Sequence, residues 1–298
     1  MKQPVFTGSS VAIVTPFDEA GNVNYEKFHQ LVDMQIAGGT AAITVCGTTG
    51  ESATLSDKEH MDLVRDCIKY VGGRAKVIAG AGSNNTAHAL EFCKECEGAG
   101  ADGLLVVTPY YNKTTQAGLV QHYTYLADRV HTPIIVYSVP SRTGMCPSID
   151  TLKILSGHPM INGLKDANSN IGSTAGTLAA RGDNLNIWSG NDDETVAMMA
   201  LGAKGVISVW ANVDPCGVSD MTAACLRGDF AAARKMQLDA YTLIKALFIE
   251  TNPIPVKEAL NQMGLSVGPC RLPLCEMQPS TREILRKALV AKGLVPAL

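Results

Sequence analysis

The sequence predicts an α/β protein with a (β/α)₈ TIM barrel, followed by a C-terminal helical appendix. Eight short apolar runs with β-branched residues recur along the chain, and segments with helical spacing of apolar residues separate them. Strands that alternate with helices are typical of a parallel sheet, and eight of them can close a barrel. The predicted strands are Ser10–Val14, Ala42–Val45, Val77–Ala79, Gly103–Val107, Ile134–Tyr137, Ile161–Lys165, Leu185–Ser189 and Gly205–Val209.

The segments between the predicted strands carry helix signals. Apolar residues recur there at helical spacing, and Ser56 with Glu59 forms a capping-box pattern before the second helix. The predicted helices are Tyr25–Ala37, Lys58–Val71, Thr86–Ala99, Gln116–Val130, Asp150–Leu155, Ser173–Ala180 and Glu194–Leu201.

From about residue 229 onward the pattern is helical throughout. Helices are predicted at Asp229–Phe248, Pro253–Gln262 and Thr281–Lys292, with prolines separating the first from the second. We therefore divide the chain into a catalytic barrel, residues 1–228, and a helical region, residues 229–298, that packs on the barrel or on a partner subunit.

A doubly wound open sheet is the alternative architecture. It usually has fewer strands and a glycine-rich nucleotide loop after the first one. Here the residues Thr-Pro-Phe-Asp at 15–18 follow the first strand, and the sequence contains neither G-x-G-x-x-G nor a P-loop. These observations favour the barrel.

The composition suits a well-buried enzyme rather than a disordered or fibrous protein. The 298 residues are 46% hydrophobic and 18% charged, with a net charge of −3. Because there is no basic run, neither nucleic acid nor an anionic membrane is an expected partner. The sequence has no apolar stretch long enough to cross a bilayer and no apolar signal-peptide core, so we expect a cytoplasmic protein.

The nine cysteines are odd in number and irregularly spaced. This pattern predicts free thiols in a reducing compartment rather than a disulfide framework. Cys93 and Cys96 match C-x-x-C, but they lie in a helical pattern and no second pair completes a zinc site. Since the six histidines form no short-spaced pair either, we expect buried thiols and no metal ion.

The carboxyl ends of barrel strands build the active site in this architecture. The predicted sixth strand ends on Lys165 and the fifth ends on Tyr137, so an amine and a phenol meet if these strands are neighbours. An amine kept out of water becomes a nucleophile toward carbonyl carbons, and a phenol can move the protons that imine formation requires. The alternative for Lys165 is a surface lysine after an edge strand.

The other strand ends carry hydroxyls, backbone amides and one guanidinium. The Gly-Thr-Thr-Gly turn at 47–50 is either a nest of N–H groups for a small carboxylate or an ordinary turn. Arg142 either presents a planar fork to another carboxylate or is a solvated loop residue. Tyr110 and Tyr111 face opposite ways, so at most one enters the site. Paired acids do not dominate these positions, which argues against glycoside hydrolysis.

Four motifs together resemble the dihydrodipicolinate synthase family. They are Gly-Thr-Thr-Gly-Glu-Ser at 47–52, Pro-Tyr-Tyr-Asn at 109–112, Tyr137 with Pro-Ser-Arg-Thr-Gly at 140–144, and Gly-Leu-Lys-Asp at 163–166. This family, the 4-hydroxy-tetrahydrodipicolinate synthases, belongs with N-acetylneuraminate lyase to the pyruvate-dependent class I aldolases. The resemblance covers the whole chain. It implies a lyase that condenses pyruvate with L-aspartate 4-semialdehyde in diaminopimelate and lysine biosynthesis.

The resemblance also implies the catalytic residues. Lys165 would form the Schiff base with pyruvate, and Tyr137 would transfer protons in a relay with Thr48 and Tyr111. Tyr111 would reach in from a neighbouring subunit, which implies a homo-oligomer, and a dimer of dimers is usual in the family. No cofactor is implied, because the imine on Lys165 serves as the electron sink.

Three further residues would bind the substrates. Thr49 would bind the carboxylate of pyruvate, and the main chain of Ile207 would also contact pyruvate. Arg142 would hold the carboxylate of L-aspartate 4-semialdehyde.

The resemblance extends to a possible effector site for L-lysine, formed by Ser52, Ala53, His60, Asn84, His88 and Tyr110. However, His88 stands where lysine-sensitive members have an acidic residue, and Asp57 replaces a frequent histidine or lysine. Because an imidazole cannot bind an ammonium group as a carboxylate does, we predict weak or absent inhibition by L-lysine. Ser138 and Trp210 also depart from the family pattern, where an asparagine and a small hydroxyl residue are common.

Two other functions stay open at this point. A neuraminate or sugar-acid lyase would keep Lys165 and Tyr137 but would not need Arg142. A non-catalytic barrel that binds a small acid is the second alternative, and the intact set of lysine, tyrosine and threonine argues against it.

Overall fold

The computed structural model of the chain describes residues 2–180 and 184–297. Its sheet is a closed barrel of eight parallel strands in which each strand pairs with the next along the chain and the last pairs with the first. The strands are β1 Gly8–Ala12, β2 Ala42–Val45, β3 Lys76–Gly80, β4 Gly103–Val107, β5 Ile134–Ser138, β6 Ile161–Asp166, β7 Asn186–Ser189 and β8 Gly205–Ser208. The closure confirms the predicted TIM barrel and excludes the open sheet.

Helices surround the barrel and continue beyond it. They are α1 Tyr25–Ala37, α2 Asp57–Val71, α3 Thr86–Ala99, α4 Gln116–Ala127, α5 Pro140–Thr143, α6 Ile149–Ser156, α7 Ile171–Ala180, α8 Thr195–Ala200, α9 Pro215–Leu226, α10 Phe230–Ala246, α11 Ile254–Gln262 and α12 Pro279–Ala291. The capping box at Ser56 and Glu59 is present at the start of α2, as predicted.

The first strand ends two residues earlier than predicted, at Ala12 instead of Val14. The N–H of Ile13 still donates to the Thr44 carbonyl, but the N–H of Val14 donates to the side chain of Asn212. Because a side chain replaces the sheet partner at Val14, the strand stops there and the chain turns into the loop that leads to the site.

Helix α4 is shorter than predicted, and the short helix α5 and the longer helix α9 are both missing from the prediction. In α4 the N–H of Arg129 bonds the carbonyl of Leu126, which tightens the last turn and ends the helix before Val130. Helix α9 packs against both β1 and α10, so its apolar residues do not form one stripe and the amphipathic signal is weak. The other predicted boundaries differ from the observed ones by only a few residues.

The barrel interior is filled by a compact apolar cluster. The indole of Trp188 stacks on Phe6 with ring centroids 5.1 Å apart and donates to the Phe6 carbonyl, so the segment before β1 packs against the interior. The buried members are Phe6, Ala12, Ala42, Ile78, Leu105, Ile135, Tyr137, Val139, Ala167, Trp188 and Ile207. A larger apolar core lies between the sheet and the helices.

The C-terminal helices are packed on the barrel helices. Helix α10 contacts α9 and α12, and α11 contacts α12. The division of the chain between residues 228 and 229 stays a prediction, since the helices on either side of it pack together. Among the described residues, none of the helices combines the length and the apolar character that a membrane crossing requires.

Candidate active site

An amine and a phenol lie side by side inside the barrel. Lys165 of β6 is the register partner of Tyr137 of β5, and directly paired residues of parallel strands project to the same face. The Lys165 Nζ lies 4.3 Å from the centre of the Tyr137 ring. Both side chains are buried, with 6% and 7% of their surfaces exposed. The structure therefore brings together the two residues that the strand ends predicted, and it excludes the surface position for Lys165.

Trp188 of β7 is the register partner of Lys165 on the other side, so Tyr137, Lys165 and Trp188 form a row across three neighbouring strands. Space for the indole depends on Gly163, which lies two residues before Lys165 on the same strand. A Cβ at Gly163 would come within 2.4 Å of Trp188 Cζ3. The glycine of the Gly-Leu-Lys-Asp motif thus leaves room for the indole, which packs against Phe6 in the barrel interior.

Lys257 shows how a structural buried lysine differs from Lys165. Its Nζ binds Glu51 Oε1 at 2.8 Å and the carbonyls of Thr15 and Pro269. Around Lys165, by contrast, no ion pair with a carboxylate forms among residues 2–180 and 184–297. A buried lysine amine without a carboxylate partner, beside a phenol that can transfer protons, is suited to attack a carbonyl carbon.

The Gly-Thr-Thr-Gly turn after β2 is a tight hydrogen-bonded turn. The amides of Gly50 and Glu51 donate back to the carbonyls of Gly47 and Thr48. In the described part of the chain, the N–H groups of Thr48 and Thr49 donate to no protein acceptor. Two adjacent free amides and the Thr49 hydroxyl suit one small carboxylate.

The tail of the chain supplies a contact that was not among the predicted site residues. Asn252, which follows α10, donates from its side-chain Nδ2 to Thr49 Oγ1 at 2.9 Å. Its main-chain oxygen accepts a hydrogen bond from an Arg142 Nη, also at 2.9 Å. A single residue therefore contacts both candidate carboxylate-binding side chains. Its position in a predicted helical tail gave no signal of this.

The buried ion pair between Glu51 and Lys257 holds the end of the Gly-Thr-Thr-Gly turn. Glu51 has a left-handed backbone with φ of 54°, and its carboxylate accepts from Lys257 Nζ and from the N–H of Arg271. Lys257 and Arg271 both lie 4.3 Å from the ring centre of Phe17. Burial lowers the pKa of Lys257, and the charge of Glu51 opposes that shift. Glu51 is thus a structural acid that orients the turn.

The remaining predicted site residues lie in different surroundings. Thr48 is half-buried and Arg142 is exposed, and both line one cavity of about 440 Å³. Ile207 is fully buried in the interior cluster with Tyr137. Tyr111 is 92% exposed and is held in a left-handed conformation with φ of 66°, so a single chain does not bring it to Lys165.

The possible effector residues surround the same cavity. Five of them line it, namely Ser52, Ala53, His60, His88 and Tyr110. The sixth, Asn84, donates from its side chain to the Tyr110 carbonyl. Burial lowers the pKa of His60, whose Nε2 lies 2.7 Å from the Gly80 carbonyl oxygen. His88 Nε2 lies 3.2 Å from a carboxylate oxygen of Asp57, so the two residues that we expect to differ from lysine-sensitive members face each other.

The other two residues that we expect to depart from the family pattern, Trp210 and Ser138, are both buried. Trp210 is buried in the core between the sheet and the helices, not in the interior cluster that contains Tyr137. The backbone N–H groups of Trp210 and Val209 donate to the carboxylate of Asp192, which also accepts from the Ser208 hydroxyl. Burial raises the pKa of the Asp192 carboxyl. Ser138 is buried, with its hydroxyl 3.5 Å from Cys146 Sγ.

The thiols and acids do not form a metal centre in the described residues, where no cluster of three or more His, Cys, Asp or Glu side chains is placed to hold an ion. Cys93 and Cys96 are buried in α3, and burial raises the pKa of both thiols, that of Cys96 to about 12. These two residues are packing thiols, as interpreted from the sequence.

The chain is similar over its full length to known enzymes. The profile of the Dihydrodipicolinate synthetase family matches residues 5–292. A 4-hydroxy-tetrahydrodipicolinate synthase from Thermoanaerobacter sp. strain X514 is 51% identical over 293 residues, which cover 98% of each chain.

Solved structures agree with this similarity. The crystal structure of dihydrodipicolinate synthase from Aquifex aeolicus superimposes with a TM-score of 0.95 at 45% identity, covering 97% of this chain and 99% of that one. The enzyme from Cyanidioschyzon merolae with lysine bound gives 0.94 at 36% identity, covering 98% of this chain and all (100%) of the other. The chain belongs to the Dihydrodipicolinate synthetase family.

Proposed function

We propose that the protein catalyses the 4-hydroxy-tetrahydrodipicolinate synthase reaction, the condensation of pyruvate with L-aspartate 4-semialdehyde. The observation that supports this most strongly is the buried amine of Lys165 beside the phenol of Tyr137. The turn after β2 and the guanidinium of Arg142 add sites for one acid group on each substrate. The relatives are named as synthases, which favours this reaction over the sugar-acid lyase alternative.

In the first half of the reaction, Lys165 captures pyruvate. The neutral amine adds to the keto carbon, water leaves, and Tyr137 transfers the protons that this exchange needs. The free amides of the turn after β2 and the Thr49 hydroxyl hold the carboxylate of pyruvate and so orient the keto carbon toward Nζ. The iminium then acidifies the methyl group, and loss of one proton gives an enamine. Protein side chains alone perform these steps, and we propose that no cofactor takes part.

In the second half, the enamine carbon attacks the aldehyde of L-aspartate 4-semialdehyde and forms the new carbon–carbon bond. Arg142, an exposed residue that lines the cavity, holds the carboxylate of this substrate. The amino group of the same substrate then displaces Lys165 by transimination and closes the ring. This last step needs only proton transfers, for which Thr48 and Tyr137 are the available hydroxyls.

Comparison of two substrates tests the assignment. The purified protein is assayed with pyruvate plus L-aspartate 4-semialdehyde, and separately for cleavage of N-acetylneuraminate. We expect turnover only in the first assay, and Arg142→Lys should raise the KM for the semialdehyde because a point charge replaces the bidentate fork. Cleavage of the sugar acid without condensation would reject the proposal in favour of the lyase.

We further propose a homo-oligomer, arranged as a dimer of dimers, in which Tyr111 completes the site of the neighbouring copy. The support is the conformation of Tyr111, a large aromatic side chain that is 92% exposed on a backbone with positive φ. Conformations of this kind are costly for a non-glycine residue and tend to persist where function needs them. We also propose a cytoplasmic location, since all nine cysteines are free thiols, as expected in a reducing compartment.

The cavity beside the site is proposed as an effector pocket with low affinity for L-lysine. A relative was crystallised with lysine bound. Here the carboxylate of Asp57 already faces the imidazole of His88, and Glu51, which also lines the cavity, is paired with Lys257. An entering ammonium group would have to displace one of these partners, so we predict that submillimolar L-lysine leaves the initial rate nearly unchanged.

A variant with the acidic residue and the histidine exchanged between positions 57 and 88 checks this prediction. In the double variant D57H/H88E the carboxylate moves to α3, and we expect lysine inhibition to appear. The matched variant His88→Gln, which adds no carboxylate, should stay insensitive. Loss of half the wild-type rate at submillimolar L-lysine would show that the Asp57–His88 pair does not block the pocket.

A further inference from the structure

We infer that Asn252 is a positioning residue that sets the direction of the Thr49 hydroxyl and thereby the affinity for pyruvate. The inference rests on the proposed function, because it concerns how the turn after β2 holds the carboxylate of the first substrate. It adds a residue from the C-terminal region to the machinery of the barrel.

The first step concerns which side chain donates and which accepts in the hydrogen bond between Asn252 and Thr49. The side-chain Nδ2 of Asn252 donates to Thr49 Oγ1 at 2.9 Å, so the hydroxyl oxygen is the acceptor there. A hydroxyl has a single hydrogen, and this one stays free to donate elsewhere. Both side chains are buried, and the free amides of Thr48 and Thr49 are adjacent. The amide of Asn252 thus leaves the Thr49 hydrogen available for a ligand carboxylate.

The second step concerns the other end of the same side chain. The Oδ1 of Asn252 is buried and has no hydrogen-bond partner in the part of the chain that the structure describes. An unpaired buried carbonyl destabilises the folded protein. An apolar side chain of similar size would avoid that cost, so stability alone does not explain an asparagine at this position. The donor end of the amide is what the site uses.

The third step concerns the effect of Asn252 on the binding of each substrate. Asn252 contacts Thr49 through its side chain but contacts Arg142 through its main-chain oxygen. Replacing the side chain therefore removes only the hydrogen bond to Thr49. The hydrogen bond from Arg142 to the main-chain oxygen stays in place. A change at this residue should affect the binding of pyruvate without affecting the binding of L-aspartate 4-semialdehyde.

The test compares Asn252→Leu and Asn252→Asp with the wild type. We expect Leu, which cannot donate, to raise the KM for pyruvate by about tenfold, the effect of losing one well-oriented hydrogen bond to a charged group. The KM for the semialdehyde and the melting temperature should stay near the wild-type values. Asp should have a larger effect, because its carboxylate accepts the Thr49 hydrogen and repels the carboxylate of pyruvate.

A double-mutant cycle with Thr49→Val shows whether the change in the pyruvate KM arises through the Thr49 hydroxyl. If Asn252 acts through the hydroxyl, Asn252→Leu should add nothing to the pyruvate KM once Thr49→Val is present. The control is Asn212→Leu, since Asn212 is a fully hydrogen-bonded buried asparagine that holds Val14 and Ala12. That variant should lower the melting temperature and leave the pyruvate KM near the wild-type value.

Three outcomes would overturn the inference while the wild type stays active: an unchanged pyruvate KM in Asn252→Leu, additive effects in the cycle, or equal increases in both KM values. An inactive wild type that forms no imine with pyruvate would instead reject the proposed function. The two failures are therefore distinguishable in the same set of assays.

Discussion

At the scale of single residues, the ring and the hydroxyl of Tyr137 have separable effects on Lys165. The ring packs against the amine, with its centre 4.3 Å from Nζ, and both side chains are buried. The hydroxyl supplies the proton transfers that the proposed imine chemistry requires. Tyr137→Phe removes the second effect and keeps the first.

We expect Tyr137→Phe to fold with wild-type stability and to lose about 10²- to 10⁴-fold in kcat, the usual contribution of a positioned proton-transfer group. The measurement is the steady-state rate together with thermal unfolding. Tyr125→Phe, at a partly exposed tyrosine of α4, is the matched control and should keep full activity. A Tyr137→Phe enzyme with more than a tenth of the wild-type rate would contradict the role of the phenol.

At the scale of elements, the eight strands and most helices were predictable because each buries one regular pattern. The errors in the prediction come from contacts between segments distant in sequence, which the pattern of apolar residues does not reveal. Val14 leaves the sheet because the side chain of Asn212, far away in sequence, takes its N–H. Helix α9 packs against β1 and α10, so it lacks a single apolar stripe. In both cases a tertiary contact decided the outcome.

Helix α2 gives a pH prediction, because its first turn is tied to the C-terminal region. Arg271 donates to both carboxylate oxygens of Glu59 and lowers the pKa of Glu59 from 4.5 to about 2. A carboxyl with a depressed folded pKa stabilises the protein above its unfolded pKa and loses that contribution as the pH falls through the window from 4.5 to about 2.

We therefore expect the wild type to exceed Glu59→Gln in stability at pH 6, with the difference shrinking steadily toward pH 3. Urea unfolding midpoints of both proteins at several pH values measure it. A difference between the two proteins that stays constant from pH 6 to pH 3 would show that the Arg271–Glu59 pair does not produce the shift.

At the scale of the whole molecule, the site depends on contacts between the barrel and the C-terminal region. The sequence predicted Lys165 and Tyr137 because strand ends are local features that converge in any barrel. Asn252, Lys257 and Arg271 were not predictable in the same way, since their contacts with the turn after β2 arise only when the tail folds onto the barrel. The tail is therefore more than a packing element.

The proposed assembly gives a prediction at this scale. If Tyr111 completes the site of a neighbouring copy, the protein should sediment as a dimer or tetramer, and activity per chain should fall on dilution below the dissociation constant. Tyr111→Phe should keep the assembly and lower kcat. A fully active monomer in analytical ultracentrifugation would contradict the shared site.

The central claim is that Lys165 is the nucleophile that binds pyruvate. The most direct measurement is to treat the protein with pyruvate and borohydride, weigh the intact chain and map the modified peptide. We predict one reduced pyruvate adduct per chain, located on Lys165 and absent from Lys165→Arg. No adduct, or an adduct on another lysine such as Lys257, would contradict the account.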